Sequence, residues 1–406
     1  MNCNSKKLII GRIIGNFADS LFMIIFPIAL YKAYDDYSVL YFYSTISLTL
    51  SSLSFLITPI VNKYNKKTML ITCQVLQFIL ILVMIISLNF DNYLSLIAIY
   101  LSSGLFTVSN LLSYILQSAM IPEITEEEKL FKVNQVMQTS LFAVNMLADS
   151  ISAIILIILT INEIATISVI LYIITIIVFK RIRYKKVSVE ITNDEVVLES
   201  SQSNVSYKES LKSSLRLVLS NDITRSIILM LFVSGVGYQY LITYIPAYFV
   251  DLGNDYMYSI FNLVLFLGLI VGTTLSEHIY KRKATIFIGS ITLFAILMFI
   301  STNHLLLIFS FVFLLSVYSG SLEPIIMTCV QQSLKDEVSI GITAIMAISS
   351  ISKLIGIQIS AFVIGIGGFN LLYTGYFILF LFDVVFTYRF INKSKGVDIT
   401  FDQSNE

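Results

Sequence analysis

The chain has 406 residues, of which 56% are hydrophobic and 13% are charged, and its mean hydropathy is +0.85. An average soluble domain is about 25% charged, and neither disordered chains nor disulfide-rich secreted scaffolds combine so many apolar residues with so few cysteines. The 26 basic and 26 acidic residues cancel, so a basic surface for nucleic acid is not indicated. The composition predicts a membrane protein with many spans.

Apolar segments separated by polar breaks recur along the whole chain. Because a helix needs about 20 residues to cross the hydrocarbon core, a chain of this length has room for about a dozen spans. The predicted fold is an all-α membrane protein with twelve transmembrane helices arranged as two pseudo-symmetric six-helix halves. The predicted spans are 8–32, 38–61, 68–88, 93–121, 131–160, 162–180, 223–250, 256–276, 284–302, 304–330, 339–366 and 370–391.

Lysine and arginine are concentrated in one set of loops. The even-numbered loops and both tails are basic, whereas the odd-numbered loops are acidic or neutral, and only Lys32 lies on the predicted outer side. Basic loops stay in the cytoplasm, so both termini are predicted to be cytoplasmic. The first span follows Lys6 and Lys7, is too long for a signal peptide and lacks a cleavage site, so we expect it to be retained.

The longest polar stretch divides the spans into six plus six. The predicted organisation is a first half (1–181), a cytoplasmic linker (182–222), a second half (223–391) and a cytoplasmic tail (392–406). The linker pattern fits an amphipathic helix on a membrane surface or a solvated linker helix. Its basic face carries Lys208, Lys212 and Arg216, and its apolar face carries Leu211, Leu215 and Val218.

The amino-acid sequences of the two halves are weakly similar when they are aligned at an offset near 218 residues. Gly15 and Pro27 in the first span are echoed by Gly235 and Pro246 in the seventh. Such repetition is typical of transporters that hold their substrate between two halves near the membrane midplane.

Charged side chains occur inside the predicted spans, where each costs about 2.5 to 3.5 kcal/mol on insertion scales. They are Arg12, Asp19, Asp149, Glu323, Lys353 and Asp383. A structural role in ion pairs or interhelical hydrogen bonds competes with a role in binding protons or substrate. The structural interpretation is favoured for Asp383, and the transport interpretation for Asp19, Asp149 and Glu323.

Lys353 and Arg12 are further candidates for the binding of substrate or protons. Arg12 lies about one turn from the predicted cytoplasmic edge, so its side chain can instead extend to the interface. Asp19 lies about 16 Å deeper than that edge, near mid-membrane.

Neutral polar residues follow helical stripes on several spans, which indicates a shared aqueous path. The cavity-lining candidates on the fourth and fifth spans are Asn110, Gln117, Gln138 and Asn145. On the tenth span, Glu323 precedes Pro324, which can free backbone carbonyls beside it.

The sequence contains no nucleotide-binding loop, catalytic triad or metal-ligand spacing. The two histidines lie at predicted loop edges, and the three cysteines are far apart. We therefore expect no enzymatic activity, no cofactor and no metal site.

Six plus six spans, a basic loop after the second span and a basic central loop resemble the major facilitator superfamily over nearly the whole chain. Residues 11–21, GRIIGNFADSL, are similar to the first-span motif of the drug:proton antiporter branch that includes bacterial macrolide exporters, with its arginine and following aspartate. Residues 117–124, followed by Glu127, Lys129 and Asn134, are similar to that branch's connection between the fourth and fifth spans.

The resemblance also implies a gating loop after the second span. The superfamily signature there has an aspartate-basic pair, which this chain replaces with an asparagine. The corresponding residues are Asn62, Lys63, Lys66 and Lys67. On the fifth span Asp149 stands where the antiporter branch has a proline, and it supplies an additional acid.

The resemblance implies a secondary transporter that exports an amphipathic small molecule, such as a drug, a peptide antibiotic or a metal-chelating metabolite, with proton entry as the driving reaction. The expected partners are this small molecule, protons and the lipid bilayer, and the protein is expected to be a monomer in the bacterial cell membrane. A nutrient importer of the same fold is an alternative. A membrane sensor or scaffold that does not transport is a third hypothesis.

Overall fold

The computed structural model describes residues 2–34, 37–57, 61, 64–90, 92–184, 207–242, 245, 249, 257–282, 284–302, 304–334 and 337–394. These residues form α-helices and short 3-10 helices, with no strand among them. Asn62 and Lys63 of the predicted gating loop, Pro246 of the predicted repeat and most of the linker and tail lie outside the described residues.

Six helices form the first half of the bundle. They are α1 (Cys3–Tyr34), α2 (Tyr37–Ser52), α3 (Lys66–Leu88), α4 (Tyr93–Ile124), α5 (Leu130–Ile158) and α6 (Ile161–Lys180). A linker helix and five longer helices follow. They are α7 (Tyr207–Ser220), α8 (Asp222–Ile242), α9 (Met257–Lys281), α10 (Ala284–Thr302), α11 (Leu305–Leu334) and α12 (Val338–Ser394).

Several helices begin at side chains that satisfy the first free backbone N–H groups. The Asn65 side chain accepts a hydrogen bond from Thr68 N at the start of α3, and the Asn92 side chain accepts one from Ser95 N at the start of α4. Thr160 and Glu163 form a reciprocal capping box at the start of α6. Polar residues in the predicted breaks therefore fix where the helices start.

Apolar side chains cover the outside of the bundle. On α10, Phe287 and Phe294 are 66% and 63% exposed, which suits contact with lipid because hydrocarbon does not penalise apolar surface. Within the described residues, seven helices are long and apolar enough to cross a membrane, or eight if the bent pair of α7 and α8 is one span. The fold is that of a multi-pass membrane protein.

Helix α12 contains both of the last two predicted spans. Its 57 residues are about 85 Å long, enough to cross a hydrocarbon core of about 30 Å twice. The backbone at Gly368 is non-helical, with φ 63° and ψ −161°. The predicted break between residues 366 and 370 is therefore a kink at a glycine, because side chains disfavour this backbone conformation.

The linker helix α7 is bent by 92° from α8. Val218 is buried against Ile340 and Ala344 of α12, whereas Leu215 is 48% exposed. One part of the predicted apolar face therefore packs on the bundle, and another part faces outward.

The sixth helix of the first half packs along α1, and α12 packs along α8 in the second half. The halves meet where α5 contacts α9 and α11, and where α2 contacts α12. This arrangement brings polar faces of α1, α4, α5, α11 and α12 towards one another.

We predict that Gly368→Ala lowers the free energy of unfolding by about 1 to 3 kcal/mol, because a residue with a Cβ is strained in a backbone conformation that is nearly exclusive to glycine. No atom lies within 4 Å of the position that this Cβ would take, so a steric clash does not contribute to the loss of stability. Unfolding in mixed detergent micelles measures the effect.

Gly365→Ala is the matched control. Gly365 also has no atom within 4 Å of a built Cβ, but its backbone is helical. Alanine there should be neutral or stabilise the helix by up to about 1 kcal/mol. Equal losses in the two variants would contradict the assigned strain.

Candidate functional site

Asp19 lies at the middle of α1, held by donors from two other helices of the first half. Its carboxylate accepts a hydrogen bond from the Tyr172 hydroxyl on α6 and another, of 3.1 Å, from Asn110 Nδ2 on α4. Two donors stabilise an acid that has little access to water. Asp19 therefore joins α1, α4 and α6 at one point.

A small polar cavity extends from Asp19 along α1. Its volume is about 30 Å³, room for about two water molecules. The residues around it that matter for the site are Arg12, Asn16, Asp19, Gln74, Asn110 and Gln117. Two of the four predicted cavity-lining residues, Asn110 and Gln117, are thus in one cavity with Arg12 and Asp19.

Arg12 points into the bundle and does not extend to the membrane edge. It is 5% exposed, and its guanidinium carbon lies 4.4 Å from the centre of the Tyr114 ring. Its Nη1 donates to Ser118 Oγ at 3.3 Å and contacts Met137 Sδ at 3.1 Å. Its Nη2 has no hydrogen-bond partner among the described residues, so this donor is available for a ligand or water.

The polar stripe of α5 splits between different contacts. Asn145 Oδ1 accepts hydrogen bonds from Asn16 Nδ2 at 2.7 Å and from Ser20 Oγ at 3.1 Å, which places it beside the same face of α1. Gln138 is buried and interacts with Tyr114. Asp149 lies on α5, but its side chain is outside the described residues.

Glu323 on α11 and Lys353 on α12 bring opposite charges from the second half. Glu323 interacts electrostatically with both Lys353 and Tyr114. Among the described residues, however, Glu323 and Lys353 do not form a salt bridge. The Arg12 and Tyr114 pair of the first half therefore faces a loosely paired acid and base of the second half.

Asp383 is buried in the second half and lines a separate cavity of about 30 Å³. The Ser234 hydroxyl on α8 donates a hydrogen bond to Asp383 on α12. This bond joins the first and last spans of the second half, which supports the structural interpretation of Asp383.

Neutral hydrogen bonds join the two halves near the start of α5, and we call this set the inter-half contact. Its amide groups belong to Asn134, Gln135 and Gln331. Gln135 Nε2 donates to Thr273 O, Thr274 O and Ser276 Oγ at 3.0, 2.9 and 3.2 Å. Asn134 Nδ2 donates to Gln331 Oε1 at 2.6 Å, and Gln331 Nε2 donates to Ser118 O at 2.9 Å.

Lys66 and Lys67 of the predicted gating loop make their contacts within the first half. Lys66 forms an ion pair with Glu123, and Lys67 Nζ donates to the backbone oxygens of Lys180 and Ile182 at 2.9 and 2.8 Å. The Tyr184 hydroxyl also donates to Glu123. Burial and this carboxylate raise the pKa of Tyr184, because both disfavour the phenolate.

Some residues of the site were absent from the sequence-based candidates. Tyr172 and Tyr114 are two of 23 tyrosines, and their residue type alone does not mark them. Gln135 directly follows Asn134, which the family resemblance includes, so the local sequence contains a signal for it in this pair of adjacent amides.

Among the residues that the structure describes, no group of three or more His, Cys, Asp or Glu is arranged to hold a metal ion. The arrangement instead offers buried carboxylates, one guanidinium with a free donor, and neutral amides between two helical halves. Such groups can exchange protons and bind a polar small molecule.

The bundle and its buried polar groups define a multi-pass membrane transporter. The family model described as Major Facilitator Superfamily matches residues 8–357, and the chain belongs to this family. Family membership implies a transporter of small molecules and not an enzyme. No curated protein gives a significant sequence match.

Solved structures share the fold at low sequence identity. A bacterial homologue of the iron transporter ferroportin, outward-facing with soaked iron, has a TM-score of 0.76 at 13% identity, covering 96% of this chain and 99% of its own. The human organic anion transporter MFSD10 has a TM-score of 0.67 at 14% identity and coverages of 95% and 100%. The proton:xylose symporter XylE has a TM-score of 0.68 at 14% identity and coverages of 96% and 95%.

We predict that Gln135→Ala weakens the inter-half contact, because it removes three hydrogen bonds between α5 and α9. A hydrogen bond between membrane helices contributes about 0.6 to 1.7 kcal/mol. Amide exchange at the end of α9 should therefore accelerate by at least about three-fold, as measured by mass spectrometry.

Gln74→Ala is the control for Gln135→Ala. Gln74 is also buried, but its Nε2 donates to Gln77 and Ser113 inside the first half. The Gln74→Ala variant should leave amide hydrogen exchange in α9 unchanged. Equal acceleration in both variants would mean that general loosening, and not the contact between halves, is being measured.

We also predict that Asp383→Asn keeps the stability and the transport activity of the wild type, since the amide oxygen still accepts a hydrogen bond from Ser234. Asp383→Leu should lose about 1 kcal/mol of unfolding free energy, because the Ser234 hydroxyl loses its acceptor. Thermal unfolding in detergent and a transport assay measure both effects. Loss of transport activity in Asp383→Asn with unchanged stability would refute the structural interpretation.

Proposed function

We propose that the protein is a secondary active transporter that exports an amphipathic small molecule in exchange for protons. The proposal includes twelve spans, cytoplasmic termini, a location in the bacterial cell membrane and activity as a monomer. Beyond family membership, the proposal specifies the direction of transport, the coupling ion and the class of cargo.

The observation that carries the proposal is Asp19 with its hydrogen-bond donors beside a polar cavity. A carboxyl group in hydrocarbon is costly when ionised, whereas the neutral acid needs little solvation. Its surroundings, Tyr172, Asn110 and a cavity with room for water, can accommodate both forms. Asp19 is therefore suited to gain and lose a proton during a transport cycle.

The inter-half contact supports an outward-facing state. It lies near Leu130 at the start of α5 and near Lys281 at the end of α9, the end of the bundle that is predicted to be cytoplasmic. A seal at that end leaves access from the other side. Two solved structures of the bacterial ferroportin homologue are also described as outward-facing.

The proposed cycle follows from this state. A proton from outside binds Asp19, the inter-half contact breaks, and the cavity opens to the cytoplasm, where cargo replaces the proton. Hydrogen bonds between neutral groups suit this gate, because breaking them exposes no unpaired charge. Rocking of the two halves around a central site then carries the cargo outward.

Arg12 and Glu323 are proposed to sense the cargo and the proton, respectively, at the boundary between the halves. Arg12 Nη2 can donate to a polar group of the cargo, while the Tyr114 ring offers apolar surface beside it. Glu323 interacts with Tyr114 and Lys353, so a change in its protonation alters the charge balance across the boundary.

The similar structures carry the names of different cargo: a homologue of an iron transporter with soaked iron, an organic anion transporter and a proton:xylose symporter. Their identities of 13% to 14% support the fold and not the cargo. A test panel should therefore contain drugs, peptide antibiotics, metal chelates, organic anions and sugars.

We predict that one class in this panel releases protons from acidified inverted vesicles that contain the wild-type protein. Asp19→Asn should abolish this release, because an amide does not exchange protons in this pH range. Lumenal pH, recorded with a fluorescent dye, measures the effect.

Glu126→Gln is the control for Asp19→Asn, since Glu126 is an exposed acid paired with Lys129 outside the bundle core. It should release protons as the wild type does. Wild-type release by Asp19→Asn would refute the role of Asp19. If cargo instead enters whole cells together with protons, the alternative function, a nutrient importer, replaces the proposed exporter.

A further inference from the structure

A basic groove lies between the first turn of α8 and the last turns of α12, away from Asp19 and Arg12. Its volume is about 400 Å³. We define the basic groove by its basic residues and by the polar and apolar residues between them. They are Arg225, Arg389 and Lys393, together with Ser226, Leu229 and Phe386.

The positive charge of the basic groove is only partly neutralised. Arg225 forms an ion pair with Asp222, and Lys393 Nζ lies 4.0 Å from the same carboxylate. Among the described residues, these are the only salt bridges that the basic groove residues make. Three basic groups against one acidic group leave a net charge of +2.

The basic groups are accessible to a ligand. The Arg225 and Lys393 side chains are 49% and 44% exposed. The Arg389 guanidinium lies 5.7 Å from the centre of the Phe386 ring, which holds it beside the apolar part of the groove.

An apolar path continues from the basic groove along the outside of α12. Phe382 and Ile378 follow Phe386 at intervals of four residues, so the three side chains share one face of the helix. Phe382 is 53% exposed and Ile378 is 50% exposed. The path extends about 12 Å towards the middle of the span, and Leu229 of α8, 47% exposed, lies at its start.

We propose that the basic groove binds an anionic phospholipid, with its phosphate between Arg225, Arg389 and Lys393 and one acyl chain along Phe386, Phe382 and Ile378. Basic pockets between helices at a membrane surface attract anionic headgroups. The apolar path distinguishes a lipid from a soluble phosphate, which has no use for it. The net charge distinguishes an anionic lipid from a zwitterionic one.

The test is a titration of the purified full chain with phosphatidylglycerol or phosphatidylcholine in mild detergent, followed by native mass spectrometry. The groove variant combines Arg225→Gln, Arg389→Gln and Lys393→Gln. The control variant, Lys129→Gln with Lys132→Gln and Lys281→Gln, removes the same charge from the same predicted end. Each basic group near a membrane surface accounts for about a five-fold change in affinity, so the groove variant should bind phosphatidylglycerol about 100-fold more weakly. The control variant should bind it as the wild type does.

A second variant should change the affinity in the opposite direction, a result that a loss of stability would not produce. Asp222→Asn removes the acid that competes with the phosphate, so phosphatidylglycerol should bind about five-fold more tightly. Equal losses in the groove and control variants, unchanged affinity in Asp222→Asn, or equal binding of phosphatidylcholine would overturn the proposal. Displacement of phosphatidylglycerol from the wild type by millimolar inorganic phosphate would assign the groove to a soluble anion, which also overturns it.

Discussion

Hydrocarbon offers no hydrogen-bond partner to a polar group, and this constraint governs both the helices and the site. Every backbone group must be satisfied within the protein, so the apolar segments become helices with capped ends. Polar side chains must meet each other inside the bundle, which is why Asp19 contacts Tyr172 and Asn110 and why Arg12 lies on the Tyr114 ring. The same constraint makes any unpaired donor there a place for a ligand or water.

The boundary between the halves follows a different rule, which suits the separation of the halves in the proposed cycle. Within the first half, packing is reinforced by an ion pair between Lys66 and Glu123. Across the inter-half contact, the side-chain amides of Asn134 and Gln135 form hydrogen bonds with amide, hydroxyl and carbonyl oxygens. Each is individually weak between membrane helices. Several together hold one state, and their loss exposes neutral groups that water can solvate at small cost.

The sequence predicts the helices well because apolar length is a local property. The predicted span 284–302 coincides with α10 (Ala284–Thr302), and the predicted break after residue 366 contains the kink at Gly368. Arg12 and Asp19 were found because charge in an apolar segment is rare. Tyr172 was not found, since its role depends on the distance between α1 and α6, which no local pattern encodes. The fused helix α12 likewise required backbone geometry, because a glycine in a polar break indicates either a loop or a kink.

The two halves place their buried acids on different helices. In the first half the acid is on the first helix, α1, with partners on α4 and α6, whereas Asp383 is on the last span, with partners Ser234 on α8 and Tyr318 on α11. At offsets of 218 to 220 residues, Asp19 aligns with Gly237, Tyr238 or Gln239 of α8, none of which carries a charge. The first cavity is also lined by Arg12, whereas the described residues around the second cavity include no basic side chain. In the proposed cycle, a proton on Asp19 therefore changes the charge of the first cavity and leaves the charge of the second cavity unaltered. This asymmetry fits the proposed roles, in which the first cavity responds to binding and Asp383 stabilises the packing of the second half.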